Sequence, residues 1–168
     1  ESYVRLADDV SGKDVEFVCT LARPDDQILQ LIFAAKTARE LGAKTVRLIA
    51  PYLAYMRQDK RFQEGESISS THFAKLLSDC FDSLITIDPH LHRIADLGEI
   101  FTIPTKVKHA APLLADWIRD NVENALVVGP DSESQQWVEA VAERAGAQRL
   151  VLNKNRLGDH EVEILVPD

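Results

Sequence analysis

Apolar runs alternate with amphipathic stretches along almost the whole of this chain. Residues 15–20 and 46–50 are short, largely apolar and rich in β-branched side chains, as buried strands are. Between them, Pro24-Asp25-Asp26 opens a stretch whose Ile28, Leu31, Ile32 and Ala35 share one face of a helix. Asp25 suits the N-terminal end of that helix, and Gly42, just past Leu41, its stop. The spacing predicts a second helix over 71–81, with Phe73, Ala74, Leu76, Leu77 and Phe81 on a broad apolar face. Short strands follow at 84–87 and at 100–103, the latter stopped by Pro104.

The order then repeats. Pro112 sits where a first helical turn tolerates it, and a helix follows over 113–121. Residues 125–128 form a strand, Gly129-Pro130-Asp131-Ser132-Glu133 a turn, and 134–145 a helix ended by Gly146. A strand at 150–152, a polar loop at 154–160 and an alternating strand at 161–166 complete the pattern. Repeated βαβ units predict an α/β fold of mostly parallel sheets with flanking helices, on both faces of the sheet. The stretch Lys106-Val107-Lys108-His109 is the expected boundary, giving domains 1–105 and 106–168. The opening Glu1-Ser2-Tyr3-Val4-Arg5-Leu6 alternates like the middle of a strand, and Pro167-Asp168 follows a strand-like run. Both ends are therefore expected to be cut.

Composition narrows the class. The 168 residues are 45% apolar, enough for a packed core. A net charge of −8 disfavours nucleic acid as a partner, because phosphate-backbone binders present a basic face. Cys19 and Cys80 lie far apart in apolar contexts and read as reduced core residues of a cytoplasmic protein. No apolar run has the length of a membrane span.

Polar chemistry gathers where strands end. The strand at 46–50 empties through Tyr52 and Tyr55 into Arg57-Gln58-Asp59-Lys60-Arg61. In open α/β sheets, ligands bind at the carboxyl ends of strands. Three cations there suit a polyphosphate, and an ordinary solvated mixed-charge loop is the plain alternative. Asp88-Pro89-His90-Leu91-His92 ends the next strand. Extended backbone would put Asp88, His90 and His92 on one side, where a carboxylate and imidazoles can hold a divalent metal. A histidine simply hydrogen-bonded within a loop is the competing reading. Asp131 follows a third strand, a position that suits a helix cap as well as a ligand. Lys154 and Arg156 could clamp charge that develops in a reaction, or merely decorate an exposed hairpin. The chain has no G-x-x-x-x-G-K-[ST] or G-x-G-x-x-G loop and no G-x-S-x-G elbow.

These segments, in order, carry a resemblance. Residues 52–61, Tyr-Leu-Ala-Tyr-Met-Arg-Gln-Asp-Lys-Arg, are similar to the Y-x-x-Y-x-R-Q-D-K/R segment of the ribose-phosphate diphosphokinase (phosphoribosyl pyrophosphate synthetase) family. Ser11-Gly12-Lys13-Asp14-Val15 resembles its R-G-x-D-V, with Ser for Arg, and residues 68–77 resemble the helix that follows the R-Q-D segment. Asp88-Pro89-His90 matches its D-L-H, Pro130-Asp131 its P-D, and Lys154-Asn155-Arg156 the K-x-R of its catalytic loop.

The resemblance implies tandem phosphoribosyltransferase-like domains and transfer of diphosphate from ATP to the 1-hydroxyl of ribose 5-phosphate, with Mg²⁺. It implies ATP contacts at Glu1, Arg57, Gln58 and Asp59, with Lys60 and Arg61 in the same motif. It implies metal-linked positions at His90 and Asp131, a catalytic Lys154, and Arg156 as catalytic neighbour and ribose-5-phosphate contact. It also implies homo-oligomeric assembly, while the residues themselves point to a cytoplasmic protein with no membrane partner. Two stretches depart from the family pattern: Ser132-Glu133-Ser134 replaces small residues with a Gly pair, and residues 91–98 replace A-x-Q-I-Q-G-F-F. A non-catalytic regulatory or assembly relative, or a phosphoribosyltransferase, are the alternatives. The family's V-D-D-x-x-x-T-G-G-T phosphate loop is expected after the last strand, and the chain stops before it. These 168 residues alone are therefore expected to form no phosphoribosyl pyrophosphate from ATP and ribose 5-phosphate. Detectable product in a coupled AMP assay would overturn that expectation.

Overall fold

The computed structural model describes residues 1–156 and 162–165. It divides into two compact units, Glu1–Lys108 and His109–Asp168. In the first, the elements run β1 (Asp14–Val18), α1 (Pro24–Glu40), β2 (Thr45–Ala50), α2 (Ser69–Ser78), β3 (Ser83–Ile87) and β4 (Thr105–Lys108), with a 3₁₀ turn at Leu97–Glu99. Among the described residues, these strands make one parallel sheet of order β1-β2-β3-β4.

The monotonic order has a consequence for the layers. Successive crossovers of one hand step in one direction and lay their helices on the same face. The core matches that geometry. Val46, Leu48 and Ala50 of β2 pair in register with the β1 and β3 residues that share their face, and join one cluster with Leu31, Ala35 and Ala38 of α1 and Phe73, Ala74 and Leu77 of α2. The opposite face carries Asp14, Glu16, Thr45 and Arg47, with Arg47 reaching Glu16 at 3.5 Å. The expectation of helices on both faces is therefore corrected within this unit: both cover one face.

Local chemistry sets the helix ends. Pro24 occupies the first turn of α1 with Asp25 and Asp26, and Arg39 the last, each sign at its favoured end of the dipole. Gly42 then turns the chain at φ +88°, a conformation that a Cβ disfavours. Helix α2 begins at Ser69, ahead of its apolar periodicity, where Ser70 N donates to Gln58 O at 3.3 Å. Two expected strands differ. Residues 100–103 are a turn and bends, and the strand starts after Pro104, at Thr105, where β4 can pair with β3. The stretch that reads as a linker is thus largely an edge strand, and the units divide between Lys108 and His109. Residues 1–6 alternate in burial, and Leu6 packs against the core, but they form no strand.

The second unit holds α3 (Ala111–Asn121), β5 (Leu126–Gly129), a 3₁₀ turn (Ser132–Ser134), α4 (Gln135–Ala145), β6 (Gln148–Val151), β7 (Asn153–Arg156) and β8 (Val162–Leu165). β5 and β6 pair in parallel, whereas β7 and β8 form an antiparallel hairpin. Helix α4 packs on both β5 and β6, and Arg144 ties it to α3 through Asp116 at 2.7 Å.

Two fully buried hydroxyls in the first unit, those of Ser70 and Thr86, meet no hydrogen-bond partner among the described residues. Thr86 lies on β3. An unpaired buried hydroxyl carries its desolvation penalty uncompensated. Thr86→Val, which keeps the shape, is expected to raise stability by about 1 kcal/mol. Urea unfolding of both proteins checks this, and a loss of stability would contradict it.

Candidate functional site

Neighbouring parallel strands deliver their exits side by side. Ala50, the last residue of β2, pairs with Thr86, one residue before the end of β3. The loops after β2 and β3 therefore leave the same edge of the sheet. They carry Arg57, Gln58 and Asp59 on one side and Asp88, His90 and His92 on the other.

The β2 loop is shaped by a strained residue. Leu53, Ala54 and Met56 are buried, which anchors the segment to the core. Between them Tyr55 takes φ +64°, rare for a bulky side chain. Two contacts hold it there: its hydroxyl donates to the Asp25 carboxylate at the head of α1, and its ring lies 4.8 Å from that of Phe73. The hydrogen bond to Asp25, with burial and the nearby negative charge, pushes the Tyr55 phenol above its ordinary pKa. An apolar groove of about 250 Å³ opens beside it, lined by Ile28, Phe73 and Leu76.

Beyond the kink, Arg57 is exposed. Gln58 is half-buried, and its Oε1 accepts from Ser69 Oγ at 3.4 Å, against the first turn of α2. The next turn is closed by Glu66, whose Oε2 accepts from Phe62 N and Gln63 N at 2.9 and 3.1 Å. Gly65 permits that turn at φ +83°. The exposed Phe62 ring has Lys60 Nζ at 5.0 Å and Arg93 Cζ at 5.7 Å from its centroid.

Asp59 behaves differently from its neighbours. Its side chain is 1% exposed. Oδ1 accepts from Arg93 Nη1 at 2.9 Å and Oδ2 from Arg93 N at 3.2 Å. Burial raises the carboxyl, but hydrogen bonds and charge from Arg93 outweigh it and leave the pKa below the ordinary carboxylate range. Nothing in the sequence marks Arg93 for this task, because 34 residues separate the partners.

The β3 loop corrects one expectation. Asp88 takes φ +40°, so the segment is not extended and strict alternation does not order Asp88, His90 and His92. The rings of His90 and His92 lie 6.3 Å apart, and both residues are exposed. Among the described residues no three His, Cys, Asp or Glu side chains group closely enough to hold a metal ion.

The other expected positions are scattered. Glu1 is exposed and precedes β1. Asp131 lies in the second unit, and its Oδ1 accepts from Ser134 N at 3.2 Å, capping the 3₁₀ turn. Gly129 is needed there, since a Cβ would strike Ser134 Oγ and come within 2.7 Å of Val138. Lys154 and Arg156 fall on β7, not in a loop, because residues 153–156 pair with β8. The loop residues Gly158 and Asp159 lie outside the described residues.

A parallel sheet with crossover helices and charged loops at the strand exits defines an α/β protein of the kind that handles ligands at strand ends. Comparison with known proteins makes this specific. Residues 1–80 match the N-terminal domain of ribose phosphate pyrophosphokinase. Over the full chain, the ribose-phosphate pyrophosphokinase of Methanobrevibacter smithii is 31% identical, with 56% of that protein covered. That of Thermoplasma acidophilum is 34% identical, again over the full chain and 57% of the relative. That of Methanopyrus kandleri is 35% identical over 98% of the chain and 56% of the relative. Along its whole length the chain is thus similar to ribose-phosphate pyrophosphokinases, and its first 80 residues match their N-terminal domain. It spans about half the length of the curated relatives it matches. The crystal structure of phosphoribosylpyrophosphate synthetase from Mycobacterium smegmatis shares the fold, with a TM-score of 0.76 and 23% identity over 97% of this chain and 54% of that one.

Tyr55 offers a direct check on how the β2 loop is held. A phenol raised above its ordinary pKa stabilises the fold fully below that ordinary value, and the contribution is lost as pH rises through the folded value. Tyr55→Phe is expected to lose about 1 kcal/mol at neutral pH. It should also lack this component of the alkaline decline in stability, which begins near pH ~10 in the parent. Parallel urea titrations against pH measure both, and identical alkaline limbs would contradict the assignment.

Proposed function

We propose that this chain acts in ribose-phosphate diphosphokinase chemistry, the transfer of diphosphate from ATP to ribose 5-phosphate. The observation that carries the reading is the side-by-side exit of the Arg57–Gln58 and His90 loops from neighbouring parallel strands, in a chain whose relatives are ribose-phosphate pyrophosphokinases. In this reading the two units are the phosphoribosyltransferase-like domains that the family resemblance implies.

The C1 hydroxyl oxygen of the sugar forms a bond to the β phosphorus of ATP. The bond from that phosphorus to the oxygen bridging to the α phosphorus breaks. AMP leaves with the bridging oxygen, and the hydroxyl proton is released. Such transfers need little covalent chemistry from a protein and depend on positioning and charge neutralisation. Exposed Arg57 supplies a guanidinium fork for phosphate oxygens, and Gln58, fixed against α2, supplies a carboxamide beside it. Lys154 and Arg156 add cations for the transferring group, and Arg156 also contacts ribose 5-phosphate.

Mg²⁺ commonly keeps several waters and takes few protein ligands besides phosphate oxygens. His90 and Asp131 are the positions at which the resemblance would place contacts to it. The ion would neutralise charge on the phosphates. Two unbridged cysteines support a cytoplasmic setting. No described helix is long and apolar enough to cross a membrane. Homo-oligomeric assembly is part of the same reading.

The test is AMP formation from ATP and ribose 5-phosphate with Mg²⁺, using the chain extended to natural termini. Lys154→Ala is expected to reduce turnover by about 10²–10³-fold, as loss of a charge-stabilising group does. Arg57→Ala is expected to weaken ATP binding about tenfold, the equivalent of one lost charge-assisted hydrogen bond. A folded protein that binds ATP yet releases no AMP would favour a regulatory relative instead.

A further inference from the structure

The strand-exit loops are joined by one side-chain link whose chemistry is unusual for a surface. Asp59 belongs to the β2 loop and Arg93 to the β3 loop. Both Asp59 oxygens are met by Arg93, one by the guanidinium and one by the backbone N–H. The carboxylate side chain is 1% exposed, whereas Arg93 is 39% exposed and lies over the Phe62 ring. A carboxylate shielded this far from water is left uncompensated if its cation is removed, which favours keeping the pair together.

Position gives this link its meaning. Asp59 follows Gln58 directly, and Arg93 follows His92 directly. A carboxylate aimed outward beside Arg57, Lys60 and Arg61 would repel an anionic ligand. Turned inward onto Arg93, it is taken away from that surface. The guanidinium also suits the task where an ammonium would not. One of its nitrogens reaches Asp59 while its Cζ stays within cation–π range of the Phe62 ring, at 5.7 Å.

We propose that Arg93 is a positioning residue: its double grip on Asp59 holds the Arg57–Gln58 segment and the His90–His92 segment as one piece at the strand exits. Asp59 then acts through Arg93 and does not touch the nucleotide. The choice of ATP as ligand rests on the function proposed above; the link between the loops does not.

The test uses the 168-residue chain, uniformly ¹⁵N-labelled, with Arg93→Ala, Arg93→Lys, Asp59→Asn and the double variant Asp59→Asn/Arg93→Ala. Calorimetric titration with ATP and MgCl₂ reads affinity, and amide spectra of the ligand-free proteins read the two loops. Arg93→Ala and Asp59→Asn are each expected to weaken ATP binding about tenfold. The double variant should bind no more weakly than the worse single one, since both remove one link. Each single variant should shift the amides of both segments. Arg93→Lys, which keeps the charge and the backbone N–H, should recover only part of the affinity, and it stands in if Arg93→Ala does not fold.

Unchanged affinity in a folded Arg93 variant, even with a lower melting temperature, would reduce the pair to a structural contact and overturn the proposal. Additive losses in the double variant would do the same. If the parent 168-residue chain binds no ATP, the spectra alone decide the link, and the proposed function is decided separately by AMP formation in the extended chain. Shifts at both segments then support the link, and shifts confined to the segment carrying the substitution overturn it.

Discussion

The parallel pairing of β2 with β3 is the constraint on which the functional end of the first unit depends. Arg47 to Ala50 align with Ser83 to Thr86, so both strands point the same way and finish close to the same level. Parallel strands require crossovers, and the crossovers require helices. Helices α1 and α2 bury Leu31, Ala35, Phe73 and Leu77 against Val46, Leu48 and Leu84. That burial is what keeps the register, since a one-residue slip would turn the apolar set to the opposite face. Once register is set, the loops after β2 and β3 have no choice but to emerge together.

Electrostatics then sorts the residues that the backbone has gathered. Arg57, Lys60 and Arg61 remain at the surface. Asp59 is withdrawn and neutralised by Arg93, and Glu66 is spent on closing its own turn through the Phe62 and Gln63 amides. In an acidic chain of net charge −8, local removal of carboxylates is how a cationic exit can exist. The strained Tyr55 belongs to the same arrangement. Its φ of +64° sits in the turn that leads from buried Ala54 and Met56 to exposed Arg57, and Asp25 and Phe73 hold it there.

Much of this was legible along the chain, and the misses have physical causes. Helix α1 could be read from its periodicity and its Pro24–Asp25–Asp26 start, because those signals are local. Sequence pattern points to a strand at 100–103 and not at 105–108, because the isoleucines at 100 and 103 look strand-like while lysines at 106 and 108 look like a linker. An edge strand with one neighbour tolerates that polarity. The Lys154–Arg156 segment read as a polar loop for the same reason, yet it pairs as β7. The expected line of Asp88, His90 and His92 assumed extended backbone, which Asp88 does not adopt.

What the sequence by itself determined was the set of elements and their chemistry: βαβ order, apolar faces, the Tyr-Arg-Gln-Asp motif, and the family it resembles. These are carried by residues near one another in the chain, where spacing and side-chain type are enough. Only the tertiary structure decided which face the helices cover, that Asp59 turns inward, and that Arg93 is its partner. Those outcomes depend on strand order and on contacts between residues 34 positions apart, and no local pattern encodes either. A carboxylate in a charged loop reads as exposed until the fold brings a guanidinium to it and takes both away from water.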